Sequence, residues 1–397
     1  MAASGGQISI ALSAGRRVAA AANGTRALLF AEILTAGPLS RTQLAARTGL
    51  SQSTVTKAVN PLIDAGFVVE AGEASSGMGR PQRMVNVAAR RHTVIGLKIG
   101  PDQVTGVLTD LQAKVLDSRS RGLTEGHSPP AALAVAEAVV ADLLPFGSHA
   151  RERLLGVGVG IGGHLDSGVV VRSGILGWEG VPVAAPLAAA TGLPTLVGND
   201  VDALAVAERW FGAGRETDPF VLVTVGPGVG CGMFLEGGLF TGATGLAGEL
   251  GHIPVQANGL LCTCGNRGCL ETVASNAAVI RSITDAGIPC QSIGQAVALA
   301  RDGSAEARSA FVSMGNALGR ALATVVNLIN PERIVLAGEL AEAVDLFGPE
   351  CERSWRSHAF SSAAEDCELV VDVTDDAQWA RGAACLVIRE AVAVSSS

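Results

Sequence analysis

Apolar residues in the first part of the chain recur at helical spacing in three short runs. Leu28, Leu29, Phe30, Ile33 and Leu34 predict a helix that starts near Thr25 and is stopped by Gly37-Pro38. Ser40, with Gln43 three residues on, reads as the capping box of a second helix carrying Leu44 and Ala45 and ended by Gly49. Ser51 caps a third helix, with Val55, Val59, Leu62 and Ile63 on its buried face. Pro61 lacks a backbone N–H and predicts a kink or an early end there. Gly66 closes the unit, and residues 67–70 and 84–87 read as two short strands around the loop 71–83. This order predicts a winged helix-turn-helix over residues 24–88, behind a flexible lead at 1–23.

Farther on, the period changes. Residues 93–115 and 220–240 each fit three short antiparallel strands joined by glycine turns. Helical patterns follow over 130–144 in the first case, and over 276–300 and 305–328 in the second. The two β-rich runs resemble each other 126 positions apart: Lys98-Ile99-Gly100-Pro101 aligns with Thr224-Val225-Gly226-Pro227. Gly106 then aligns with Gly232, Val107 with Met233, Leu108 with Phe234 and Asp110 with Glu236. The repeat predicts a duplicated α/β body with a ligand cleft between its lobes. The lobes are expected over 92–200 and 201–383, with a C-terminal helix at 384–397 returning to lobe 1. Chance matching of glycine-rich hairpins is the competing reading.

Fifty glycines in 397 residues fit an α/β protein with tight turns better than a helical bundle. No uninterrupted apolar run reaches about 18 residues, and the start lacks a basic segment followed by an apolar one. A cytoplasmic chain with no membrane partner is therefore expected. The net charge of −8 is uneven: residues 1–91 hold ten Lys/Arg and four Asp/Glu, the remainder nineteen and thirty-three. A basic head on an acidic body predicts that the head meets a polyanion. The third helix would expose Gln52, Ser53, Thr54, Thr56, Lys57 and Asn60, short polar groups and one cation suited to base edges in a major groove. Arg80 and Arg83 on the wing suit phosphates or a narrow minor groove. The alternative for the head is a helical interface module with incidental charge.

Three of eight cysteines crowd into eight residues, in the run His252-x9-Cys262-x-Cys264-x4-Cys269. Three thiolates and one imidazole are the ligand set of a closed tetrahedral zinc site. Free thiols or a redox pair are the alternatives, although Cys-x-Cys is short for a disulfide. Cys231, Cys290, Cys351, Cys367 and Cys385 are scattered and read as packing residues.

The run from Gly245 to His252 (GLAGELGH), followed by Cys262 to Glu271 (CTCGNRGCLE), resembles the signature of the ROK family of repressors, open reading frames and sugar kinases. The resemblance covers about residues 24–395. A winged helix before a ROK body is similar to the regulator branch, which includes xylose and N-acetylglucosamine repressors. The resemblance implies a two-lobed, ribonuclease-H-like body of the actin/hexokinase type, with a zinc-binding loop at 252–271. It also implies a sugar bound between the lobes by Asn199, Asp200, Glu249, His252 and Glu271. Converging carboxylates and amides suit pyranose hydroxyls. His252 would give one ring nitrogen to zinc and the other to a hydroxyl. Taken singly, Glu249 could cap a helix and Asn199-Asp200 could form an ordinary turn. Family members often place an asparagine on the sugar where this chain has Ile175, which changes preference or weakens binding.

Asp200 matches the family's catalytic base. The first phosphate loop does not match, because Asp-x-Gly-Gly-Thr-Lys of the kinases is here Lys98-Ile99-Gly100-Pro101-Asp102-Gln103. In the second loop Pro227 stands where threonine is usual. A proline offers no N–H to a phosphate, so Asp200 is expected to be vestigial and no ATP/Mg2+ is expected. The chain is therefore expected to be a non-enzymatic, sugar- or sugar-phosphate-responsive transcriptional regulator of repressor type with structural Zn2+. It would act as a homodimer or homotetramer on double-stranded, pseudo-palindromic operator DNA, with recognition helices about 34 Å apart. An active ATP-dependent hexose kinase with an added DNA-binding domain, or a DNA-binding scaffold with a vestigial cleft, remain the alternatives.

Overall fold

The computed structural model describes residues 16–74, 82–124, 126–144, 147 and 151–394. It divides into two compact units, Met1–Val87 with Arg389–Ser397, and Ala88–Ile388.

The first unit opens with α1 (Arg16–Ala36), which begins nine residues before Thr25. The run Arg16-Arg17-Val18 followed by four alanines has high helix propensity, which extends the helix into the expected lead. Strand β1 (Leu39–Ser40) leads into α2 (Arg41–Thr48), and the Ser40–Gln43 capping box forms in both directions. Gly49 ends α2 in the left-handed region, and α3 (Gln52–Asp64) follows. Helix α3 runs through Pro61 instead of stopping there. The carbonyl left without its donor is that of Lys57, an exposed residue whose backbone water can reach. Strands β2 (Val68–Ala74) and β3 (Gln82–Val87) pair antiparallel with a bulge between Glu70 and Glu73, so they are longer than the sequence pattern indicates. Strand β1 joins β3 to complete the sheet. Leu29, Phe30, Ile33, Leu44, Val55, Val59, Leu62 and Val85 form the buried centre.

The second unit contains one topology twice. In the first half, β4 (Thr93–Ile99), β5 (Gln103–Asp110) and β6 (Val115–Gly122) run antiparallel. Helix α4 (Pro129–Leu143) leads to β7 (Leu154–Ile161), which lies parallel to β4. A small sheet, β8 (His164–Asp166), β9 (Val169–Ser173) and β10 (Trp178–Pro182), interrupts the fold before α5 (Ala184–Thr191) and β11 (Thr195–Asn199). The sheet order is β11-β7-β4-β5-β6.

After α6 (Asp200–Phe211), β12 (Phe220–Val225), β13 (Val229–Leu235) and β14 (Gly238–Phe240) repeat the antiparallel triplet. A long insertion holds α7 (Glu271–Ala274), α8 (Asn276–Asp285) and α9 (Ile293–Arg301) before α10 (Ala305–Ile329). The expected single pattern over 276–300 is two helices, because Gly287-Ile288-Pro289 breaks it. Strand β15 (Arg333–Ala337), α11 (Val344–His358) and β16 (Glu368–Val371) complete the order β14-β13-β12-β15-β16. Helix α10 is long and apolar enough to cross a membrane by composition, yet Phe311, Met314, Leu318 and Leu322 on it are buried in the core of this lobe.

The last helix, α12 (Asp376–Val394), starts before position 384 and lies on the first sheet. A Cβ at Gly96 would meet the Ala380 carbonyl oxygen at 1.9 Å, and one at Gly158 would meet that of Ala383 at 2.1 Å. Glycine is therefore needed for the helix to come this close. Helix α6 does the converse: Val201 and Ala205 lie against Gly230 and Gly232 of β13 in the second sheet. Each lobe is closed by the helix that follows the other lobe in sequence.

Candidate functional site

The cysteine run folds as a narrow loop. Bridges pair Pro254 with Cys269 and Leu261 with Arg267. Gly268 has φ +71, and a Cβ there would sit 1.9 Å from the Gln256 carbonyl oxygen. The loop brings His252, Cys262, Cys264 and Cys269 together, with one ligand atom from each lying within 4.8 Å of the others. His252 Nδ1 is 3.5 Å from Cys262 Sγ, and Cys264 Sγ is 3.6 Å from Cys269 Sγ. Zinc–sulfur bonds of about 2.3 Å at tetrahedral angles imply ligand–ligand edges of about 3.7 Å, so the four donors fit a structural zinc ion. The other five cysteines are buried, and burial pushes the thiols of Cys231, Cys351 and Cys385 up to about 12.

The other ring nitrogen of His252, Nε2, lies 3.8 Å from Glu249 Oε2. Glu249 sits at the N-cap of the short 3-10 turn Leu250–His252, but its side chain makes no capping hydrogen bond there. Burial raises its pKa, the neighbouring His252 opposes that rise, and Glu271 reinforces it. Glu271 opens α7 two residues after Cys269, and its Oε2 accepts the Val229 N–H at 3.3 Å. Asn199 is the N-cap of α6, accepting from Val201 N and Asp202 N, and it donates to the Gly163 carbonyl at 3.0 Å. Asp200, 4% exposed, accepts the Val201 N–H at 2.9 Å.

Lys98 changes the character of Asp200. Its ammonium forms a direct ion pair with Asp200 Oδ2 and lies 4.7 Å above the Trp379 ring of α12. A cation thus occupies the position where the sequence pattern shows only a lost acid. The sequence pattern singles out Lys98 and Asp200 separately but neither their pairing nor Trp379, because the three are distant along the chain. The second glycine turn is partly engaged: Gly226 donates to the Gly228 carbonyl at 3.0 Å, Pro227 has no N–H, and the Val229 N–H serves Glu271.

The segment around the end of β9 contacts the cysteine loop. The Arg172 guanidinium donates to the Thr263 carbonyl, and a Cβ at Gly174 would touch Thr263 Oγ1 at 3.1 Å. Ile175, 40% exposed, projects beside Gly162 and Gly228.

In the head, Gln52, Ser53, Thr56, Lys57 and Asn60 are exposed on α3, with Thr54 half-buried. The Ser51 hydroxyl lies 2.8 Å from that of Ser53 and 2.9 Å from that of Thr54, which fixes the helix start. Arg41 of α2 donates to Asn60 Oδ1 at 3.3 Å and lies 3.8 Å from Glu70, and Arg83 pairs with the same carboxylate at 3.2 Å. Arg41 was not singled out from sequence, since nothing local links it to α3. Arg80 lies outside the described residues.

The sequence pattern of the ROK family matches residues 94–390, and that of the MarR family matches residues 23–79. The chain belongs to the ROK family. It is 31% identical over 364 residues to the DNA-binding transcriptional dual regulator NagC of Escherichia coli (strain K12), spanning 89% of each chain. It is 28% identical over 364 residues to the xylose repressor of Bacillus subtilis (strain 168), spanning 91% of this chain and 94% of that one. Among solved structures it matches a ROK family transcriptional regulator described as a homolog of the E. coli MLC protein. That match has a TM-score of 0.74 and 27% identity, over 94% of this chain and 98% of the other. This ROK protein is accordingly a transcriptional regulator with a MarR-type winged head and a sugar-kinase-like body.

Proposed function

We propose that this ROK protein is a sugar-responsive repressor whose kinase-like body senses its effector without phosphorylating it. The Lys98–Asp200 ion pair carries this reading. A general base must be free to take a proton from the substrate hydroxyl, and Asp200 is engaged by a cation instead. The turn at 226–228 offers few phosphate-binding donors, because the Gly226 N–H is used and Pro227 has none. What remains is a polar cleft of Asn199, Asp200, Glu249, His252 and Glu271 suited to holding hydroxyls.

Cys262, Cys264, Cys269 and His252 Nδ1 would hold zinc, which supplies a structural cross-link and fixes the imidazole tautomer. The same loop, through Thr263, fixes Arg172 and the segment that carries Ile175. On the DNA side, Gln52, Ser53, Thr54, Thr56, Lys57 and Asn60 would face base edges, with Arg80 and Arg83 on the backbone or minor groove. A homodimer or homotetramer in the cytoplasm would set two α3 helices on a pseudo-palindrome. A sugar or sugar phosphate that binds one body conformation better than the other then shifts operator affinity. The two lobes, 92–200 and 201–383, are the parts between which the effector would lie.

The test is fluorescence anisotropy on operator fragments selected from a random pool, repeated with a panel of sugars and sugar phosphates, beside a coupled ADP-release assay. Selective DNA binding altered by at least one sugar, with no ADP release, is the expected result. Binding indifferent to every sugar supports the vestigial-cleft scaffold. Sugar-dependent ADP release overturns the sensor reading in favour of the kinase.

A further inference from the structure

Ile175 sets an apolar tip among the polar side chains of the proposed cleft, between the carboxylates of Asp200 and Glu271. A Cβ built at Gly162 would lie 3.3 Å from Asp200 Oδ2 and 3.4 Å from Ile175 Cδ1. One built at Gly228 would lie 2.8 Å from Glu271 Oε2 and 3.3 Å from the same Cδ1 atom. The isoleucine tip therefore stands in the belt between the two carboxylates, facing space that both glycines leave empty. Its neighbours do not soften it. The Ser173 hydroxyl is turned inward, 1% exposed, and accepts the Leu176 N–H at 3.3 Å. Trp178 Nε1 donates to the His127 carbonyl, and the Arg172 guanidinium is engaged with Thr263.

Carboxylates bind a pyranose through hydroxyls on its rim. A rim position that faces Ile175 instead meets a methyl group. A hydroxyl desolvated there has no partner, while a methyl or unsubstituted carbon buries apolar surface. We propose that Ile175 selects a deoxy sugar as effector: a ring bearing a methyl or methylene where the parent hexose carries a hydroxyl. This rests on the sugar-sensor reading and narrows its ligand to a chemical class.

The experiment is calorimetry on the full-length, zinc-replete chain with matched pairs: D-glucose and 6-deoxy-D-glucose, D-galactose and D-fucose, L-mannose and L-rhamnose, D-glucose and 2-deoxy-D-glucose. In at least one pair the deoxy sugar should bind on the order of ten- to a hundredfold tighter than its parent, the range by which an apolar pocket discriminates against an added hydroxyl. Ile175→Val keeps the wall and should keep the bias, while Ile175→Asn should abolish or reverse it. Parent sugars bound as tightly as their deoxy partners, or a bias that survives Ile175→Asn, would overturn this inference and leave the sensor reading standing. Absence of binding by every sugar to all three proteins would remove both.

Discussion

Replacing Lys98 with methionine keeps an unbranched side chain one atom shorter and removes its charge. Asp200, 4% exposed and held by the Val201 N–H, cannot swing out to recover a partner in water. Two unit charges about 4 Å apart attract by about 4 kcal/mol at an effective dielectric constant near 20. Removing one member of a buried pair costs about 3–5 kcal/mol, because the other charge stays buried. Loss of the contact with the Trp379 ring adds on the order of 1 kcal/mol. Lys98→Met should therefore destabilise the body by about 4–6 kcal/mol, read from urea unfolding followed by tryptophan fluorescence. Asp200→Asn strands the lysine and should cost a similar amount. The double variant leaves no uncompensated charge and should be more stable than either single one. If the two single effects instead add to within about 0.5 kcal/mol, the residues do not act as a pair, and the argument for a silenced base fails with them.

Other outcomes rest on single groups in the same structure. Burial lifts Glu208 from 4.5 to about 7, with Asp372 adding to the rise and the Ala213 N–H and Arg381 opposing it. The folded chain then holds a proton that the unfolded chain releases. Stability from this group is complete below pH 4.5 and falls by about 3 kcal/mol as pH rises to 7, and Glu208→Gln should flatten urea midpoints across that window. Mass spectrometry of the native chain should find one zinc per protomer, and Cys264→Ser should lower metal affinity at least about tenfold and lower Tm. Glu70→Gln releases Arg41 and Arg83 from a shared exposed carboxylate and should tighten DNA binding by about two- to fivefold, whereas Lys57→Ala should lower the salt slope by about one. Anisotropy titrations at several salt concentrations check both.

Features encoded within a few residues were legible in the sequence. The Ser40–Gln43 box, the αL glycine at 49 and the crowding of His252 with three cysteines depend on local spacing, and the structure brings each together. The internal repeat was legible because β4-β5 and β12-β13 keep the 126-residue offset. What stayed hidden was non-local. Lys98 stood out as a departure from a motif, yet its counter-ion is 102 positions away and its aromatic neighbour lies on the last helix. Pro61 does not end α3 at once, because one exposed carbonyl left without its donor is easily hydrated. The start of α1 was missed because alanines carry propensity without an apolar period.

The exchange of closing helices has a consequence for synthesis on the ribosome. The groove on the first sheet at Gly96 and Gly158 is made early, but the helix that fills it starts at Asp376. At about 5–20 residues per second, the roughly 180 residues between β11 and α12 take on the order of 10–40 s to emerge. Through that interval the nascent first lobe waits with an uncovered apolar face, while α6 is soon joined by β13. A chain stopped before Asp376 would keep the groove open permanently, making premature termination a direct route to aggregation and to chaperone capture.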